Sequence, residues 1–158
     1  MGPGRIGAAP KRDGSMEIAT LLQPQAIRII SDISSKKRLL QLVAEFTAPL
    51  IDQPATEISS ALLERESLGP TGFGRGVALP HARLPGLDKV SGAFLKLERP
   101  VDFDAVDRKP VDLIFALFAP ETAGTEHLKA LALVSRTLRD SGLCQKLRAN
   151  SDPTTLHA

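Results

Sequence analysis

Residues Val111 to Phe118 form an unbroken run that is apolar at every position except Asp112. A strand with one wet face alternates apolar and polar side chains. A continuous run of strand length therefore reads as a strand buried within a sheet. Other segments carry the same or a different period. Ala26–Ile30 and Ser91–Leu97 read as strands. Ser34 and Ser35 offer an N-cap to a helix over about 36–47, in which Leu39, Leu42, Val43 and Phe46 share one face. Pro49 and Pro54 bracket the connection that follows. A helix over about 56–66 aligns Ile58, Ala61, Leu62 and Arg65, which sets a guanidinium on an apolar stripe. Thr125 can cap a helix over about 126–139 with Leu128, Leu131, Ala132, Ser135 and Leu138 inward. Gly142 breaks it, and a short helix over about 143–149 follows. Strands and helices alternate, which argues for an α/β sandwich around a sheet.

The chain has 158 residues, enough for one core and too few for two. Residues 1–15 are rich in Gly, Pro and charge without periodicity and read as a disordered leader or tag; Gly14-Ser15-Met16 resembles a tag junction. The domain is expected over 16–158. Ser151-Asp152-Pro153 has the form of another helix start, but the chain ends five residues later, so a truncated final helix is expected.

Composition removes several function classes. Twenty basic residues face 18 acidic ones, and Arg5, Lys11 and Arg12 against Asp13 in the leader account for the whole excess. A neutral domain with no Trp or Tyr and six Phe lacks both the basic face and the stacking rings of a nucleic-acid binder. No stretch approaches the roughly 20 apolar residues of a membrane span, so no direct membrane insertion is expected. The lone Cys144 excludes an internal disulfide and a cysteine-based zinc site, is expected in the core, and fits a reducing cytoplasm. The three histidines include no i, i+4 pair and have no matching carboxylate cluster, so no metal is expected.

Three features could carry chemistry. Gly72-Phe73-Gly74-Arg75-Gly76, followed by Pro80-His81, strips side chains from a loop and sets a histidine five residues beyond it. Such a loop can cradle an anion on backbone N–H groups with His81 alongside, or it can be a flexible turn with an incidental histidine. It is not a dinucleotide fingerprint: the spacing is G-x-G-x-G, a helix precedes it, and only Asp88 and Glu98 stand near the required acidic position. No Walker pattern exists. His127 falls just inside the helix over 126–139, where the positive helix end disfavours imidazolium and favours a nearby anion; an exposed first-turn residue fits the spacing equally. Arg65 is either a phosphate clamp or a side chain snorkelling from a helix end. Arg75, between glycines, is expected to be exposed and suits a partner contact; His157 has no assigned role.

The segment Arg65-Glu66-Ser67-Leu68-Gly69-Pro70-Thr71-Gly72-Phe73-Gly74-Arg75-Gly76-Val77-Ala78-Leu79-Pro80-His81-Ala82-Arg83 resembles the active-site signature of type-2 IIA domains. These belong to the mannitol/fructose class of the bacterial phosphoenolpyruvate:sugar phosphotransferase system. The likeness continues through Pro100–Asp107, Pro110–Leu117 and Glu126-His127-Leu128, and covers roughly 20–158. It implies a mixed sheet flanked by helices on both faces. It implies that His81 is the phosphorylated histidine and that His127 and Arg65 contact the phosphoryl group. Thr71, Gly72, Gly74 and Gly76 are then expected to form the phosphate-binding loop that the glycine spacing suggests. No cofactor or metal is implied. Phe103-Asp104-Ala105-Val106-Asp107 and Pro110-Val111-Asp112-Leu113 look closer to nitrogen-regulatory IIA proteins than to fructose transporters, and the chain contains no IIB or IIC sequence.

Three functional readings follow from the resemblance. The first is a regulatory phosphocarrier that takes its phosphoryl group from a small carrier (HPr-like or NPr-like) and acts on a potassium-transport regulator or a sensor kinase. The second is a sugar-specific IIA component that passes phosphate to an EIIB domain. The third is a binding module that keeps the fold and is never phosphorylated, against which the presence of His81, His127 and Arg65 together argues.

Overall fold

A computed structural model describes residues 21–150. These hold strands β1 (Leu22–Ile30), β2 (Gly72–Gly74), β3 (Val77–Ala78), β4 (His81–Leu84), β5 (Ser91–Val101) and β6 (Val111–Pro120). The helices are α1 (Lys36–Ile51), α2 (Ala55–Ser67), α3 (Thr125–Leu138) and α4 (Ser141–Ala149). Residues 1–15 and the expected final helix lie outside the described residues.

The strands make one mixed sheet in the order β1-β5-β6-β3-β2, with β4 also on β6. β5 runs antiparallel to β6, whereas β1 is parallel to β5 and both β3 and β4 are parallel to β6. β3 and β4 occupy successive stretches of one edge of β6: Val77 and Ala78 sit opposite Leu113 and Ile114, and His81 sits opposite Leu117.

β6 is the run identified above, and its alternation feeds two cores. Ile114, Ala116 and Phe118 join Leu39, Leu40, Val43, Ile58 and Leu62 from α1 and α2. Leu113, Phe115 and Leu117 join Ala130, Val134, Leu138 and Cys144 from α3 and α4 on the other face. The fold is therefore a single α/β sandwich with helices on both faces. Each fully buried Leu or Phe contributes about 1.5–3 kcal/mol, which is why this strand must be apolar on both sides.

Three boundaries differ from expectation. α1 runs past Pro49 to Ile51 and stops at Asp52 in a left-handed conformation (φ 55°). Leu50 and Ile51 pack on the core, and that burial outweighs the single hydrogen bond that proline costs in the last turn. Thr125 does not cap α3; it is the first helical residue after Gly124, and no side chain caps this end. Gly142 lies inside α4, because Asp140 accepts from Gly142 N–H at 2.9 Å and Leu143 N–H at 3.2 Å and starts the helix earlier.

α4 is anchored at the sheet end remote from His81. The Arg148 guanidinium donates to both Asp112 carboxylate oxygens (2.9–3.1 Å) and to the Arg75 carbonyl at 2.7 Å. The buried Lys96 ammonium donates to the Arg148 carbonyl at 2.7 Å and to that of Asn150, closing the helix C-terminus with a cation. Removing the guanidinium strands a half-buried carboxylate. Arg148→Ala is therefore expected to cost about 1–3 kcal/mol, between the limits for exposed and fully buried pairs. Urea titration measures it, and an unchanged midpoint would show that the anchor contributes nothing.

Candidate active site

α2 explains its own anomaly. Ile58 and Leu62 are buried, while Ala61 and Arg65, a step round the same stripe, border an open cavity of about 560 Å³. The cavity joins Arg65 to His81 and Arg83 on β4 and to His127 and Leu128 on α3. β4 alternates: Ala82 and Leu84 enter the core of α1 and α2, which leaves His81 and Arg83 on the opposite side. His127 lies in the first turn of α3 and is only 6% exposed, which sets aside the alternative of an exposed first-turn residue. Its ring meets that of His81 edge to face with centroids 5.8 Å apart.

The hydrogen bonds fix the proton positions. His81 Nδ1 lies 2.8 Å from the Leu79 carbonyl, so Nδ1 carries the proton and donates. Nε2 is then the lone-pair nitrogen, and it accepts from Arg65 Nε–H at 3.2 Å. Arg65 also donates to the Gly69 carbonyl at 3.0 Å. His127 has the opposite arrangement. Its Nδ1 accepts from Arg83 Nε–H at 3.2 Å, and its buried Nε2 has no partner among the described residues.

Both imidazoles resist protonation. Burial holds His81 below its ordinary value, with the Arg65 charge acting in the same sense, while the Leu79 carbonyl and the Glu66 carboxylate pull the other way. His127 is pushed down to about 4, first by burial and then by its proximity to His81 and Arg83. At neutral pH the site holds two neutral imidazoles flanked by two guanidinium groups.

None of the expected loop residues Thr71, Gly72, Gly74 and Gly76 lines this cavity, although the Thr71 carbonyl accepts from Leu79 N–H at 2.9 Å, two residues before His81. Residues 72–78 form a hairpin against β6 at Leu113 and Ile114, three to four residues along the strand from Leu117, the partner of His81. A rise of about 3.3 Å per residue makes that separation roughly 10–13 Å. Thr71 commits its N–H (3.3 Å) and its hydroxyl to Glu66, which also binds the Lys36 ammonium at 2.8 Å. Each glycine answers a packing or turn requirement instead. A Cβ on Gly72 would stand 2.9 Å from the Ala105 Cβ, Gly74 and Gly76 have positive φ, and Gly76 backs onto Arg148 and Asp112. Arg75 is exposed at the turn, as expected, and Cys144 is buried. Among the described residues no group of His, Cys, Asp or Glu side chains could hold a metal ion, and no helix is long and apolar enough to cross a membrane.

Arg83 is the site residue that the sequence reading did not single out, although it closes the segment quoted there. The signal was available: once His81 is on a strand, the residue two positions on shares its face.

Two histidines paired across the end of a mixed sheet, with an arginine on each, define a class. The family model described as "Phosphoenolpyruvate-dependent sugar phosphotransferase system, EIIA 2" matches residues 20–158, and the chain belongs to this family. Its relatives include the nitrogen regulatory protein of Bradyrhizobium diazoefficiens, 46% identical over 143 residues that cover 90% of this chain and 94% of that one. The nitrogen regulatory protein of Escherichia coli K12 is 36% identical over 146 residues, 92% of this chain and 90% of that one. The crystal structure of the nitrogen regulatory protein IIA-Ntr from Neisseria meningitidis superposes with a TM-score of 0.83 at 34% identity, covering 89% of this chain and 96% of that one. The chain is thus a IIA component of the phosphotransferase system, a family whose work is phosphoryl transfer between proteins, and its resemblance runs to the nitrogen-regulatory branch.

Two outcomes are expected. Gly72→Ala should lose about 1–3 kcal/mol by crowding Ala105 while the folded fraction keeps its histidine chemistry; a stable variant would show that the hairpin can yield. The second concerns pH. The folded His127 titrates below its unfolded value of about 6.5, so the unfolded chain binds the proton first. Stability is complete above about 6.5 and declines as pH falls towards about 4, and His81 acts in the same direction. Urea midpoints from pH 7.5 to 4.5 should fall more steeply for wild type than for His127→Gln. Parallel curves would remove His127 as the cause.

Proposed function

We propose that the chain is a regulatory phosphocarrier that accepts a phosphoryl group on Nε2 of His81 from the phosphohistidine of an HPr-like or NPr-like carrier. One observation carries the reading. His81 holds a lone pair at Nε2 beside the Arg65 guanidinium, at the mouth of a cavity where the buried Nε2 of His127 has no partner. A buried polar atom without a partner is costly and calls for a ligand. A neutral imidazole is the form that can attack, and burial keeps His81 in it.

In the reaction His81 Nε2 attacks phosphorus in line. The N–P bond to the donor histidine breaks, its electron pair returns to the leaving imidazole, and a new N–P bond forms. No proton needs to cross, since Nδ1–H stays on the Leu79 carbonyl. Arg65 moves from the nitrogen to the phosphoryl oxygens, and His127 donates to one of them. Transfer of this kind asks for positioning and charge stabilisation, which these groups supply without a cofactor.

The exposed Leu68 and Leu128 flank the cavity and form an apolar rim on which a carrier or target can dock. Phosphorylation then adds nearly two negative charges at the centre of that rim. A target that binds the unmodified face, such as a potassium-transport regulator or a sensor kinase, is released. The relatives named nitrogen regulatory protein support this branch over a sugar-specific IIA component that serves an EIIB domain in sugar uptake.

Labelled phosphoenolpyruvate, the first enzyme of the system and the carrier should label the wild type and leave His81→Ala unlabelled. Equal labelling of His81→Ala would refute the site. An unlabelled wild type would leave a binding module. Sugar phosphorylation by membranes that hold a fructose or mannitol permease would move the protein to the transport branch.

A further inference from the structure

We propose that Arg83 is a positioning residue for phosphoryl transfer: from the strand that carries His81 it fixes the tautomer of His127, so that His127 offers an N–H, not a lone pair, to the phosphoryl group. The proposal rests on the phosphocarrier reading and adds a residue to it.

A guanidinium can only donate. Arg83 Nε lies 3.2 Å from His127 Nδ1, so that nitrogen must be bare, and a neutral ring then has its proton on Nε2. That Nε2 is buried and has no partner among the described residues. An imidazole free to choose would put its proton where a partner exists, and the arginine prevents this. The two histidines are consequently held in opposite tautomers. The Leu79 carbonyl takes the Nδ1 proton of His81 and leaves a nucleophilic Nε2, whereas Arg83 takes the Nδ1 lone pair of His127 and leaves a donor at Nε2. The rings are 5.8 Å apart, a span that a phosphoryl group on one of them can bridge.

The strand makes the coupling rigid. His81 and Arg83 are two residues apart on β4 and share a face, and both are paired to β6, opposite Leu117 and Ala119. The nucleophile and the group that orients its helper thus move as one body. Arg83 is itself exposed, so its replacement is expected to leave folding intact.

The test uses ¹⁵N-labelled protein and two variants. Long-range ¹H–¹⁵N correlations of the imidazole nitrogens should show His127 as the pure Nε2–H tautomer in wild type, as a mixture in Arg83→Met, and as the wild-type tautomer again in Arg83→Lys. Phosphorylation of His81 by the carrier should slow about three- to ten-fold in Arg83→Met, the worth of one hydrogen bond, and recover in Arg83→Lys. An unchanged tautomer in Arg83→Met overturns the proposal, and so does an unchanged rate. A slower rate with the tautomer unchanged would mean that Arg83 acts on the phosphoryl group or the carrier directly, which also overturns it. The tautomer is read on unphosphorylated protein. A wild type that accepts no label therefore refutes the phosphocarrier reading separately, while the spectra still decide whether Arg83 sets His127.

Discussion

The double-sided burial of β6 is the constraint from which the rest of the structure follows. Its side chains enter two cores in alternation, so helices must cover both faces: α1 and α2 on one, α3 and α4 on the other. Its edge then receives β3 and β4 in succession. Because β4 pairs at Leu117, His81 emerges beside the sheet face that α3 covers, and the first turn of α3 brings His127 to it. The two histidines are 46 residues apart in the chain, and one apolar strand brings them together.

The electrostatics of the cavity follow from this packing. Closing α3 over the sheet removes water from two imidazoles, and burial alone already disfavours their charged forms. Arg65 and Arg83 reinforce that preference, one on each ring. The site therefore concentrates positive charge on guanidinium groups, which cannot lose it, and keeps the titratable rings neutral. An incoming phosphoryl group meets permanent cations and a nucleophile that a proton has not disabled. Glu66, the carboxylate next to Arg65 in sequence, binds Lys36 and Thr71, and its charge only partly offsets that of Arg65 at His81, while Glu64 shares the cavity wall.

The core was legible in the sequence because it depends on period. Local chemistry singled out Arg65, His81 and His127 but left each open, and only the resemblance to type-2 IIA domains joined them into one site. The apolar run 111–118, the Ile58-Ala61-Leu62-Arg65 stripe with its misplaced guanidinium, and a histidine at a helix start each announce themselves within a few residues. The surroundings of the glycine loop were not legible for a physical reason. Glycine permits close approach by any neighbour, and in residues 72–76 the neighbours are Ala105, Arg148 and Asp112, which come from distant parts of the chain. Spacing records that room is needed but not what fills it. Arg83 was overlooked because an exposed arginine after a histidine is ordinary; its meaning arises only when β4 is a strand and α3 lies across it.

Arg65 creates a last constraint on how the proposed reaction can run. In the resting site its Nε–H binds the lone pair that must attack, so the nucleophile is masked. A carrier's phosphoryl group offers that guanidinium a charged acceptor in place of a neutral nitrogen, and charge-assisted hydrogen bonds are roughly twice as strong. The exchange is therefore favourable at the moment the donor docks and unfavourable before it. The Gly69 carbonyl tethers the other arm of Arg65 meanwhile, so a short pivot suffices. The same contact that adds to burial in making His81 a poor base in the empty site releases it to act as a nucleophile when phosphate arrives. In this scheme unmasking is coupled to substrate, and a water molecule, which lacks the charge to draw Arg65 away, does not trigger it.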